Sequence, residues 1–248
     1  MRTSLIGLSA MLAILPAQPL FAQEAEQPAA AEEEPAAEEE TPPITVSAGI
    51  TAVTDYRFRG VSLSGLEPAI QPTINVTHES GFYGGTWASN LVESELYGEY
   101  EIDLYLGWSG EVTSGTTFNG GVIYYWYPDG SGDNDYFEPY ASLSRDLGPF
   151  NATVGGAWAP SQDATGNEDW YYYYGSLGFG IPDTPVTLTG RLGNQDFGSF
   201  SYVEWSLSAS VNEGPFTITL EYVDTDQRTV TLDNDASAGL VFSVGLSF

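Results

Sequence analysis

The chain has 248 residues, with 34 acidic side chains against six arginines, no lysine and a formal net charge of −28. The absence of cysteine excludes disulfides, thiolate metal sites and a lipid anchor on an N-terminal cysteine. Such acidity leaves no basic surface for phosphate backbones, so nucleic acid is not an expected partner, and 28 glycines with 14% aromatics point to an aromatic-rich β protein.

Residues 1–22 read as a secretory signal peptide. Arg2 supplies the charged start, "LIGLSAMLAIL" (5–15) the apolar core, and "LFA" (20–22) a cleavage site. The apolar run is too short for a membrane-spanning helix, and no later segment is long enough either. Residues 23–43, "QEAEQPAAAEEEPAAEEETPP", hold eight glutamates and no basic residue. That composition cannot bury enough apolar surface to offset ordering entropy, so it is read as a disordered acidic tail.

From Ile44 onward the pattern changes to period two. Twelve strands are expected, at 44–58, 69–79, 82–90, 96–109, 116–127, 136–146, 150–160, 169–180, 185–194, 201–211, 216–224 and 237–248. In the last of these, Ala238, Leu240, Phe242, Val244, Leu246 and Phe248 alternate with small residues, and the same alternation runs through 96–109, 201–211 and 216–224. Tight Gly/Pro turns alternate with longer polar connections, among them 59–68, 91–95, 128–135, 161–168, 195–200 and 224–236. Short turns on one side, long loops on the other and an even strand count describe an all-β transmembrane antiparallel up-and-down barrel over residues 44–248. Aromatics clustered near strand ends ("YYWY" at 124–127, "WYYYY" at 170–174) suit interfacial girdles.

"TDYRFRG" (54–60), "PAIQPTINVTHESGFYGGTWASN" (68–90) and "EIDLYLGW" (101–108) resemble the TorF-type porin family of proteobacterial outer-membrane proteins. The resemblance implies an outer-membrane barrel, and a channel. The terminal Phe248 resembles the signature read by the outer-membrane assembly machinery, and outer-membrane lipid and lipopolysaccharide are the other expected partners.

If one face meets lipid, the other lines a lumen. Parity places Asp55, Arg57, Arg59, Gln71, Asn75, Glu101, Asp103, Glu138, Arg191, Glu204 and Glu221 inward. Two arrangements are open. Opposed arginines and carboxylates could flank a narrow diffusion pore, cation-leaning because of the net acidity. Alternatively, ion pairs of Arg57, Arg59 and Arg191 could brace a plugged interior, leaving a structural or adhesive barrel. A third class is a lipid hydrolase built on His78, the one histidine; it shares the outward parity of Ile70, Ile74 and Val76 but sits at a turn without an evident serine partner. No cofactor and no metal site are expected: the acidic stretches 129–135 and 233–236 lack the spacing of a calcium loop and read as solvated loops.

Overall fold

The computed structural model describes residues 43–227 and 235–248; the signal peptide, the acidic tail up to residue 42 and residues 228–234 lie outside them. Twelve antiparallel strands close into a barrel, and no helix occurs among the described residues. They are β1 (Ile44–Val53), β4 (Ala69–His78), β5 (Phe82–Ser94), β6 (Gly98–Thr113), β7 (Thr116–Trp126), β8 (Tyr136–Leu147), β9 (Phe150–Ala159), β10 (Trp170–Gly180), β11 (Val186–Asp196), β12 (Ser201–Glu213), β13 (Phe216–Thr225) and β14 (Gly239–Ser247). Each pairs with its sequence neighbour, and β1 pairs with β14 to close the ring, so no wall strand is left with an open edge. The seam is finished by Phe248, whose backbone exchanges two hydrogen bonds with Ala48, at 2.8 and 2.9 Å.

The oily side chains are on the outside. Leu106, Val154, Leu192, Leu207 and Leu240 are each about three-fifths exposed or more, as hydrocarbon contact requires and as a soluble sandwich would not allow. Two aromatic belts bound this band. Tyr100, Trp126, Phe137, Trp158 and Tyr171 mark the end bearing the loops, and Phe82, Phe150, Phe216 and Phe248 mark the end bearing the short turns. Only part of each expected aromatic cluster faces outward. Strand alternation sends Tyr125, Trp170 and Tyr172 inward, where they are buried.

Two strand boundaries differ from the sequence reading. β5 runs on to Ser94, past its expected end at residue 90, leaving only residues 95–97 before β6, so this loop-end connection is as short as the turns opposite. The first strand stops at Val53 rather than at residue 58. The chain then turns into the barrel as a small hairpin, β2 (Arg57–Phe58) and β3 (Val61–Ser62). Arg59 (φ 47°) and Gly60 (φ 88°) form its tip, both in the left-handed region that two-residue hairpin turns demand. Glycine is required at position 60 on a second count: a Cβ there would stand 2.4 Å from Thr225 Cγ2.

Candidate functional site

Residues 55–64 are all buried. Continued as a wall strand, this segment would have turned Tyr56 and Phe58 toward lipid; folded inward, it buries both of its faces. The apolar face (Tyr56, Phe58, Val61, Leu63) joins a core that includes Trp87, Tyr125, Tyr136, Trp170, Tyr172 and Tyr202. Tyr56 meets Trp87 edge to face with ring centres 5.3 Å apart.

The polar face is held by hydrogen bonds and charge. Arg57 pairs with Asp55 through Nε and donates from Nη1 to the carbonyls of Gly60 at 3.0 Å and Ser237 at 2.9 Å. Asp55 also accepts from Ser62 Oγ at 2.6 Å. Arg59, at the tip, reaches across the lumen to Gln195 and to Glu138 Oε2, the latter at 2.7 Å, and lies 4.1 Å from the centre of the Tyr172 ring. Tyr202 donates to the Arg59 carbonyl at 3.0 Å, and Tyr125 to Glu138 at 3.1 Å. Next to this tip, Arg191 pairs with Glu204 at 3.3 Å and donates to Tyr172 Oη at 2.8 Å, while Tyr172 donates to Glu204 at 2.6 Å. Position 193 must be glycine for that triad to close, since a Cβ would lie 2.4 Å from Glu204 Oε1.

The sequence-derived lumen set is therefore gathered, but not around an open bore. Glu101, Asp103, Glu138, Arg191, Glu204 and Glu221 project inward from the wall strands. Asp55, Arg57 and Arg59 sit on the segment that fills the lumen. Of the two arrangements considered from parity, the geometry is that of braced ion pairs. The space where Arg57, Arg59, Arg191, Glu204 and Glu221 converge is about 10 Å³, room for about one water. Parity alone missed the hairpin. The available signal was Arg59–Gly60 between Phe58 and Val61, a two-residue turn with glycine between strand formers.

Toward the turn end the lumen changes character. Its inward positions include Thr45, Ser47, Ser142, Ser144, Ser176, Thr187, Thr189, Ser208 and Ser210, partly or fully exposed, while Asn119 and Thr153 beside them are buried; on β4, Asn75 lies opposite Ser47 and Gln71 opposite Thr51. Hydroxyl pairs such as Ser144–Thr153 (2.9 Å) and Ser210–Thr219 (3.1 Å) line the wall, and Tyr83 and Tyr140 meet hydroxyl to hydroxyl where this vestibule reaches the packed half.

His78 has a local role in the turn: its Nδ1 accepts from the Ser80 backbone N–H at 3.1 Å and lies 2.7 Å from Ser80 Oγ. In the 129–135 loop, Asp135 accepts from Tyr127 N at 2.9 Å and Tyr124 Oη at 3.1 Å, which closes the loop on itself; Asp233 of the other acidic stretch falls outside the described residues.

The sequence matches, over residues 37–248, the family described as "Bacterial protein of unknown function (Gcw_chp)". The chain belongs to the Gcw_chp family. No functionally curated protein matches it. Among solved structures, this Gcw_chp chain is similar to the KdgM porin (TM-score 0.57, 9% identity, 82% of this chain and 98% of that one) and to the NanC porin (TM-score 0.57, 13% identity, 81% and 98%). It is also similar to the COG4313 outer membrane channel from Pseudomonas putida F1 (TM-score 0.51, 10% identity, 87% and 99%). The shared property is the fold: a closed antiparallel barrel of the outer-membrane porin type.

Proposed function

We propose that this Gcw_chp protein is an outer-membrane porin-like channel of the TorF type for small hydrophilic solutes or ions, closed in the state described by its own first loop-end segment. One observation carries the reading. The lumen is closed by a hairpin borne on a connection, residues 54–68, which packs against inward side chains of the wall strands. A wall cannot leave its barrel, whereas a loop-borne segment swings on its two attachments. Beneath it stands a hydroxyl-lined vestibule, which a solid structural barrel has no need of. In this reading the signal peptide exports the chain, Phe248 is read by the assembly machinery, and lipopolysaccharide meets the loop end.

Conduction would lean toward cations. The lumen residues discussed are six carboxylates (Asp55, Glu101, Asp103, Glu138, Glu204, Glu221) and three arginines (Arg57, Arg59, Arg191), an excess of three acids. The KdgM porin has been solved in complex with disordered oligogalacturonate, an acidic chain. In this lumen each arginine already lies against a carboxylate, which argues against a comparable track for polyanions.

Planar-bilayer recording tests the channel. The wild type should show rare openings, and replacing residues 56–64 by a short Gly/Ser link should give a stable open state, with the open fraction raised by roughly 100-fold if closure is worth about 3 kcal/mol. Silence of the shortened variant, with folding verified by heat-shifted gel migration, would favour the non-conducting structural barrel, a reading that the ion pairs of Arg57, Arg59 and Arg191 support. The hydrolase reading lacks a third residue positioned on His78, and unchanged phospholipid in mixed micelles with wild type and His78→Ala is the expected result.

A further inference from the structure

Three of the lumen carboxylates are answered by arginines: Asp55, Glu138 and Glu204. Asp103 is not. It is 1% exposed, and neither of its carboxylate oxygens meets a hydrogen-bond donor. On β6 it stands two residues from Glu101, on the same inward face. Tyr127 follows β7, whose pairing of Trp126 with Ile102 brings it alongside Glu101. Its hydroxyl is also buried without a partner. Ser89, opposite Glu101 on β5, is 2% exposed, and Tyr56 of the hairpin donates to Glu101 Oε2 at 3.3 Å.

An isolated buried carboxylate costs several kcal/mol, so Asp103 needs a proton or a positive charge beside it. A shared proton would serve one oxygen of each acid and leave the second Asp103 oxygen and the Tyr127 hydroxyl as they are. A hard cation uses all of them, because carboxylate and hydroxyl oxygens are its natural ligands and two carboxylates balance a divalent charge. We propose that Asp103, Glu101 and Tyr127 form a calcium site beneath the hairpin. Calcium fits better than magnesium because it tolerates irregular oxygen sets, where magnesium demands a near-octahedral one. No cluster of three or more acidic or histidine ligands occurs among the described residues, so the affinity expected is that of weak extracellular calcium modules, with Kd about 0.1–1 mM. Because Tyr56 bonds to Glu101, an ion held there would fix the base of the hairpin against the wall.

Calorimetric titration of the refolded full barrel, stripped with EDTA in zwitterionic detergent at pH 7, tests the site with CaCl2 as probe. One saturating event per barrel is expected. Asp103→Asn should weaken it at least about tenfold and Tyr127→Phe severalfold, whereas Asp133→Asn in an exposed loop should leave it unchanged, and MgCl2 should bind more weakly. Binding that survives Asp103→Asn, or that is lost with Asp133→Asn, would assign the ion to surface loops and overturn the proposal. So would the absence of saturable heat up to about 10 mM CaCl2 in folded wild type, which leaves a shared proton as the answer. Folding of each variant is checked by gel migration. The outcome is independent of conduction: a silent barrel that binds calcium sinks only the channel, and a conducting barrel that does not sinks only this site.

Discussion

The two halves of the lumen are built from the same strands and solve opposite problems. At the loop end, Tyr125, Tyr172, Tyr202, Glu138 and Glu204 are all but excluded from water, and every arginine there lies against a carboxylate or an aromatic face. At the turn end, the same alternation delivers serine and threonine, and most of these, Thr153 excepted, stay partly exposed. Side-chain volume explains the difference. A twelve-strand barrel is too wide for its wall residues alone to fill, so small inward residues leave a solvent-accessible vestibule, while the packed half needs extra chain, supplied by residues 55–64. Packing a lumen and lining one are thus separate tasks, set by residue size and by whether a loop enters.

That contrast is sharpest where charge is most deeply buried. Glu138→Ala would take from buried Arg59 the carboxylate it pairs with, and the packed half should lose about 3–5 kcal/mol, seen as a lower urea midpoint or, if the hairpin escapes first, as more frequent openings in a bilayer. A double substitution with Arg59→Met should recover much of that loss; no recovery would mean that the pair does not hold the hairpin. Gly60→Ala acts by geometry rather than charge. Forcing a Cβ into a φ of 88° and against Thr225 should cost about 1–3 kcal/mol in the same measurements. If Gly60→Ala melts like the wild type, the hairpin tip is not seated as described.

In the vestibule the expected effects are small. Ser208→Ala should change stability by no more than about 0.5 kcal/mol, as for any solvated position without a tight partner. Ser208→Lys should shift the reversal potential toward anions in the hairpin-shortened variant. A large destabilisation by Ser208→Ala would show that the turn end is packed as tightly as the loop end, and the comparison would fail.

Much of this barrel was legible in the one-dimensional pattern. All twelve wall strands were placed, because period-two alternation with lipid outside leaves little freedom of register: a slip by one residue would turn Leu220 inward and Glu221 into hydrocarbon. The inward face of Glu101, Asp103, Glu138, Arg191 and Glu204 followed from the same parity. Asp55, Arg57 and Arg59 also lie inside, but on the inserted segment rather than on the wall strand that parity assumed. Alternation persists through residue 58, and the pattern cannot tell a strand that continues along the wall from one that bends into the lumen, since a segment buried on both faces has no lipid side to display. The short 95–97 connection was missed for a simpler reason: polar residues at strand ends project beyond the membrane and read as loop.

What the amino-acid order determined by itself was the wall: which residues face hydrocarbon, how many strands close and where the turns fall, because these depend on local alternation and turn chemistry. What only the tertiary structure decided was the state of the interior. The pairing of Arg59 with Glu138 and Gln195, and of Arg57 with the backbone near Ser237, joins residues 79 to 180 positions apart. No local pattern encodes contacts across a lumen, and it is those contacts that set the hairpin in place as its plug.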